Sequence, residues 1–156
     1  MASSAPNTIL LEVNDRNGDR PVHEYIADEA LTPGELVRFD ADDELEPHGT
    51  ASGAAQKMFV VENPYADPGA NAAINTDYAL GATARVIFAQ AGDVIYAWGK
   101  ASETFAKGNP VGSDGAGALL VLTVDASLVA GAIVGFADED KAVGAGGRER
   151  LRVRVA

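Results

Sequence analysis

The chain has 156 residues, is 47% hydrophobic and has no cysteine, so it supports one packed core and excludes disulfide staples, thiolate metal sites and a cysteine nucleophile. Twenty-three acids against twelve bases give a net charge of −11, which repels phosphate backbones and argues against nucleic-acid binding. Lysines are few (Lys57, Lys100, Lys107 and Lys141), and an acid-rich, lysine-poor chain fits either a solubility surface or adaptation to very high salt.

The predicted elements are strands and turns. The start, "MASSAPNTILLEVND", lacks a positive region and a long apolar run, so it is read as an arm with a first strand rather than a signal peptide. Strands are predicted over 8–13 and 22–27, joined as a hairpin through Asn17-Gly18, and then over 35–39 and 57–62. A long irregular loop follows at 63–78, where Pro64 and Pro68 block regular structure. The second half is denser, with strands expected over 83–90, 93–99, 118–124, 132–137 and 150–155. No stretch reaches the roughly eighteen apolar residues of a membrane helix, and no partner membrane is expected. The fold class is therefore all-β, a small β-barrel or β-sandwich, with residues 1–20 as arm and first strand and 21–156 as one β domain.

A weak repeat links three of these segments. Gly34, Val37 and Asp40 match Gly108, Val111 and Asp114, and Gly131 with Val134 repeats the first two positions. The expected roles are a glycine that closes a turn, a valine that plugs the barrel, and an aspartate that opens the next turn by holding backbone amides. The glycine-rich stretch "FAKGNPVGSDGAG" (105–117) has neither phosphate-loop spacing nor a following helix, so it is read as turns between strands.

Candidate chemistry is sparse. Asp40, Asp42 and Glu44 cluster, but Leu45 stands where a calcium loop of the EF-hand type needs glycine; solvated acidic turns are the main reading and a loose calcium site the other. A turn-and-strand likeness to biotinyl and lipoyl carrier barrels is broken by the 33 residues between Gly108 and Lys141. His23 and His48 would need a carboxylate as third ligand to hold a metal, and no serine sits in a nucleophile elbow. No catalytic residue, cofactor or metal is assigned, and the chain is not read as an enzyme.

The last strand carries the local charge. Residues 148–156 hold four of the eight arginines and one acid, a local +3 that leaves −14 on residues 1–147. Alternation sets Leu151, Val153 and Val155 on one face and Arg150, Arg152 and Arg154 on the other. Those arginines either pair with this chain's own acids or form a basic ribbon for an acidic neighbour.

The stretch 74–119 resembles the small β-domains of capsid decoration, or cement, proteins of tailed viruses. The matching residues are Tyr78, Gly81, Arg85, Gly92, Asp93, Val94, Gly108, Val111, Ser113, Gly115, Gly117 and Leu119. With fainter matches upstream, the resemblance covers about two-thirds of the chain. It implies a virion structural protein made in the host cytoplasm and seated on the capsid exterior, a homotrimer that clamps major capsid subunits. With the acidic composition it points to a haloarchaeal virus. Under that reading the expected interface residues are Asn7, Thr8 and Ile9 in the arm, where "TILLEV" adds to a capsid edge, and Tyr65 and Tyr78 in the long loop. Arg150, Arg152 and Arg154 join them, and Trp98 is read as either core or anchor. Two rivals remain: a tail- or spike-associated domain that binds a host surface ligand, and a small metal-dependent barrel enzyme built on His23 and His48.

Overall fold

The computed structural model describes residues 6–14, 20–66 and 72–156. In chain order its elements are β1 (Leu10–Glu12), β2 (Val22–Ile26), β3 (Val37–Phe39), β4 (Leu45–Pro47), β5 (Met58–Val60), α1 (Ala72–Asn75), β6 (Thr83–Phe88) and β7 (Val94–Gly99). They continue as β8 (Thr104–Phe105), β9 (Pro110–Ser113), β10 (Leu119–Val121), β11 (Gly135–Ala137), β12 (Lys141–Ala142) and β13 (Glu149–Val155).

The apolar runs of the second half close into a five-stranded barrel in the order β7-β10-β9-β11-β13, and β13 returns to β7. The seam is the longest ladder among the described residues, antiparallel from Glu149↔Gly99 to Arg154↔Val94. β10 meets the other end of β7 in parallel at Leu119↔Gly99. Closure removes the free edges that an open sheet of this size would expose. Ile95, Ala97, Val111, Leu119, Val134, Leu151 and Val153 are buried in its core. Of the two predicted architectures, the barrel is the one formed.

A second layer packs against it. β5 and β2 flank β6 in a three-stranded sheet, and β3 pairs with β4 as a hairpin. β5 is buried on both faces: Phe59 joins the barrel core, whereas Met58 and Val60 join a second core with Leu31, Val37, Leu45, Tyr78 and Val86. A continuous apolar run is what a doubly buried strand requires.

The expected hairpin between the first two strands does not form. β1 pairs with β7 in the barrel sheet, while β2 pairs with β6 in the other layer. Ile9 is drawn into the barrel core and Tyr25 packs on the second core, so the strands part to opposite layers. Asn17-Gly18 and Pro68 lie outside the described residues. The expected strands over 118–124 and 132–137 shorten to β10 and β11, and the long loop contains the single turn α1. The short strands β4, β8, β9 and β12, two to four residues each, have too little apolar pattern to be read from sequence.

The repeat has the expected mechanics with one change. Gly34, Gly108 and Gly131 have φ of 96°, 90° and 81°, a region that favours glycine. Val37, Val111 and Val134 are fully buried, although Val37 plugs the second core rather than the barrel. Asp40 Oδ1 accepts from the amides of Asp42 (2.9 Å) and Glu44 (2.8 Å), and Asp114 Oδ1 from those of Ala116 (2.7 Å) and Ala118 (3.0 Å). Residues 105–117 are accordingly strand ends and turns. Each aspartate holds two amides, so Asp114→Ala and Asp40→Ala are both expected to lower stability by about 1–2 kcal/mol. Thermal unfolding of the two variants checks this; a drop in only one of them would break the equivalence of the turns.

Candidate interaction surface

The outer face of the barrel seam is built by alternation. In β13, Leu151, Val153 and Val155 are buried, and Arg150, Arg152 and Arg154 point outward. Across the ladder, Arg150 faces Trp98 and Arg152 faces Tyr96. Trp98 is not in the core: it lies half-buried on this outer face, its Nε1 donating to Pro33 O at 2.9 Å.

The arginines divide into two pairs. The guanidinium of Arg150 lies 4.1 Å from the Trp98 ring centroid and donates to Pro33 O (2.9 Å), to Asn75 Oδ1 (3.0 Å) and to Ile74 O. It straps α1 and the Pro33 turn onto the barrel. Arg148, 4.8 Å from the same ring, pairs with the buried Glu35 and donates to Thr32 Oγ1 at 3.0 Å. Burial pushes the Glu35 carboxyl above the usual range, against the pull of Arg148 and the Thr32 amide.

Arg152 and Arg154 are the solvent-facing pair. Both reach Glu12, at 3.1 and 3.4 Å, and Arg154 also reaches Asp138 at 3.3 Å. Exposed pairs of this kind contribute about 0–1 kcal/mol each and exchange readily for another carboxylate.

The remaining expected interface residues scatter. Asn7 and Thr8 are exposed, and Tyr65 is 76% exposed. Ile9 and Tyr78 are core residues and are withdrawn as contacts. Ile9 is fully buried, its carbonyl accepting from Tyr96 N at 2.7 Å; Tyr78 is buried with its hydroxyl donating to Glu62 O (2.7 Å) and Val61 O (3.1 Å). The first strand pairs with β7 along one edge and stands at the end of the sheet, so among the described residues its other edge is not paired.

The histidines do not meet. His23 is exposed on β2 beside Phe88, whereas His48 is buried, with Nδ1 2.8 Å from Ser113 Oγ and Nε2 3.0 Å from Ala54 O. The Ala54 carbonyl can only accept, so Nε2 carries a proton. Ser113 is fully buried, whereas His48 lines a surface pocket with Arg38, Phe39 and Gln56. Among the described residues one group of acids converges, Asp28, Asp40 and Glu44, with ligand atoms within 4.8 Å of one another. Asp40 there already holds two turn amides.

Sequence reasoning missed Arg20. Arg20 is buried against Asp93, with Nε to Oδ2 at 2.8 Å and Nη2 to Oδ1 at 2.9 Å. It also missed two exposed apolar side chains, Val124 (65%) and Val129 (53%), between β10 and β11. The available signal was charge: from Gly115 to Ala137 the only charged residue is Asp125.

No family model matches the chain, and no curated protein matches it by sequence. Among solved structures it is similar to the head fiber gp8.5 N base of bacteriophage phi29, with a TM-score of 0.57 at 12% identity over 88% of this chain and 95% of that one. At that identity the likeness is one of fold.

Proposed function

We propose that this chain is a structural protein of a tailed-virus particle that sits on the outer surface of the capsid shell and ties adjacent major capsid subunits together. The observation that carries the reading is the fold, shared along nearly the whole of both chains with the base of a phage head fiber. The cement-protein pattern over 74–119 supports it separately, because it rests on residues rather than on backbone shape. A protein of the head rather than the tail as neighbour favours the shell over a spike or tail site. His48 and Ser113 are engaged with each other, and His48 also with the Ala54 carbonyl, which favours a mechanical role over a chemical one.

In this role the exposed Tyr65 and the exchangeable Arg152 and Arg154 are the contacts with capsid acids and grooves, and a trimer multiplies their small individual effects. The host is a salt-loving archaeon; a net charge of −11 then has its self-repulsion screened, since the Debye length falls to about 3 Å at 1 M salt.

The test is co-sedimentation with undecorated capsids in several molar salt, with oligomer mass read by light scattering in low and high salt. Saturable binding is expected, with affinity reduced about tenfold in both Tyr65→Ala and Arg154→Glu, the effect of losing about 1.4 kcal/mol. Failure of the wild-type protein to bind shells, or binding to tails alone, would overturn the reading.

A further inference from the structure

Two surfaces of this molecule complement each other. The first is the loop between β10 and β11. Val124 and Val129 stand 65% and 53% exposed there, on either side of Asp125. The loop is preformed: Asp125 Oδ1 accepts from Ser127 N (2.8 Å) and Ser127 Oγ (2.6 Å), and Leu128 N donates to Asp125 O at 3.2 Å. Its base is tied down by Leu122 N to Pro110 O (2.9 Å) and Ala55 N to Gly131 O (3.2 Å). Valine has little rotamer freedom to lose, so this knob binds at low entropic cost.

The second surface is a groove of about 260 Å³ where the two layers part. Val61 and Ile87 floor it, and Thr8, Leu10 and Val22 wall it. It lies between two sheet edges, because β1 pairs only with β7 and β2 only with β6 among the described residues. Of its charged groups, Arg20 is held by Asp93 and Glu62 accepts from Ile9 N. Among the described residues Arg85 has a loose pair, 3.9 Å from the half-exposed Glu24. The groove thus presents, among the described residues, Leu10 and Val22 as apolar walls and Arg85 as a loosely paired cation, beside the engaged Arg20 and Glu62.

We infer that the knob of one copy seats in the groove of a second copy, with Val124 and Val129 covering Leu10 and Val22 and Asp125 facing Arg85. The charges fit: the knob's single carboxylate meets the groove's weakly engaged guanidinium, on a surface where most other pairings would set acid against acid. The contact joins two different patches, so it is heterologous and makes a ring where the rotation closes. It deepens the proposed capsid role by supplying the joint between copies, and it is tested without a capsid.

The chain has no cysteine, so introduced thiols report unambiguously. Val22→Cys and Val124→Cys proteins are mixed and treated with a short bis-maleimide linker. Covalent dimers are expected from the mixture and not from either variant alone, and the double variant should give a ladder ending at the ring number. Cross-linking of Val22→Cys with itself, or of Val124→Cys with itself, would overturn the inference in favour of a two-fold contact. No product in the mixture would also overturn it. Val129→Asp, at an exposed position, should keep the wild-type melting temperature and weaken self-association at least tenfold by sedimentation; unchanged association would sink the idea. A wild-type monomer that still binds shells would remove this joint and leave the capsid reading standing.

Discussion

Asp93→Ala is expected to destabilise the protein by about 3–5 kcal/mol, the usual effect of removing one partner of a buried ion pair. For a chain of this size that lowers the melting temperature by roughly 6–20 °C. Asp93 follows the turn at Gly92 and opens β7, and it is fully buried. Its two oxygens accept four hydrogen bonds, two from Arg20 and one each from the amides of Asn14 and Gln90. Alanine removes both Arg20 contacts and leaves the amides of Asn14 and Gln90 without this acceptor. A double variant, Arg20→Met with Asp93→Ala, should cost less than the sum of the single changes, because each single change already breaks the contact the two side chains share.

The same carboxylate sets an acid limit. Burial alone would raise its pKa, but the hydrogen bonds from Arg20, Gln90 and Asn14 outweigh that and hold it below the ordinary value. A depressed folded pKa contributes stability that is complete above the unfolded value, near 3.9, and is lost as pH falls through the folded one. Glu35 has the opposite sign: its raised pKa favours the folded state below the unfolded value, and that contribution is lost as pH rises through the folded one. Wild-type stability should therefore fall steeply below about pH 4, and Asp93→Ala should flatten that fall. An acid titration of both proteins by circular dichroism decides it; equal slopes would mean the pair is not the acid-sensitive element.

What the sequence made legible follows from what is local. The strands of the barrel are short apolar runs between turn glycines, and the Gly-Val-Asp repeat placed three buried valines because each triplet is one turn and one strand start. Closure is not local: the β7–β13 seam joins residues fifty to sixty apart, and β1 reaches β7 from more than eighty away. For the same reason the alternation in 150–155 identified the outward arginines but not what they meet. Glu12, Pro33 and Ile74 arrive through the fold. Tyr78 read as a loop residue because "NPYADPGANAAINTDY" has no period, yet its bridge to Leu31 draws it into the second core. Of the exposed valines, Val124 was hidden inside what looked like a strand over 118–124, which ends at Val121, and Val129 lies in the turn region beyond it.

Phe59→Ala carries the second large effect. Phe59, Met58 and Val60 are each fully buried, but they serve different cores because successive side chains of a strand point to opposite faces. Truncating a buried phenylalanine costs about 3–5 kcal/mol, and truncating a buried methionine about 2–5 kcal/mol. Both Phe59→Ala and Met58→Ala should therefore lower the melting temperature. Unfolding should stay a single transition in each, because β5 holds the two layers together: Gly34 N donates to Val60 O at 2.8 Å and Val60 N to Glu35 O at 3.0 Å. Trp98 is the chain's only tryptophan and lies on the barrel, so its fluorescence reports that layer, and far-ultraviolet circular dichroism reports both. Two non-coincident transitions would show that the layers fold separately. The variants differ in what they do to the seam between layers. Phe59 packs in the same core as Ile87 and Val61, which floor the groove, whereas Met58 faces away from them. Self-association should fall in Phe59→Ala and persist in Met58→Ala, separating the shape of the groove from the stability of the fold.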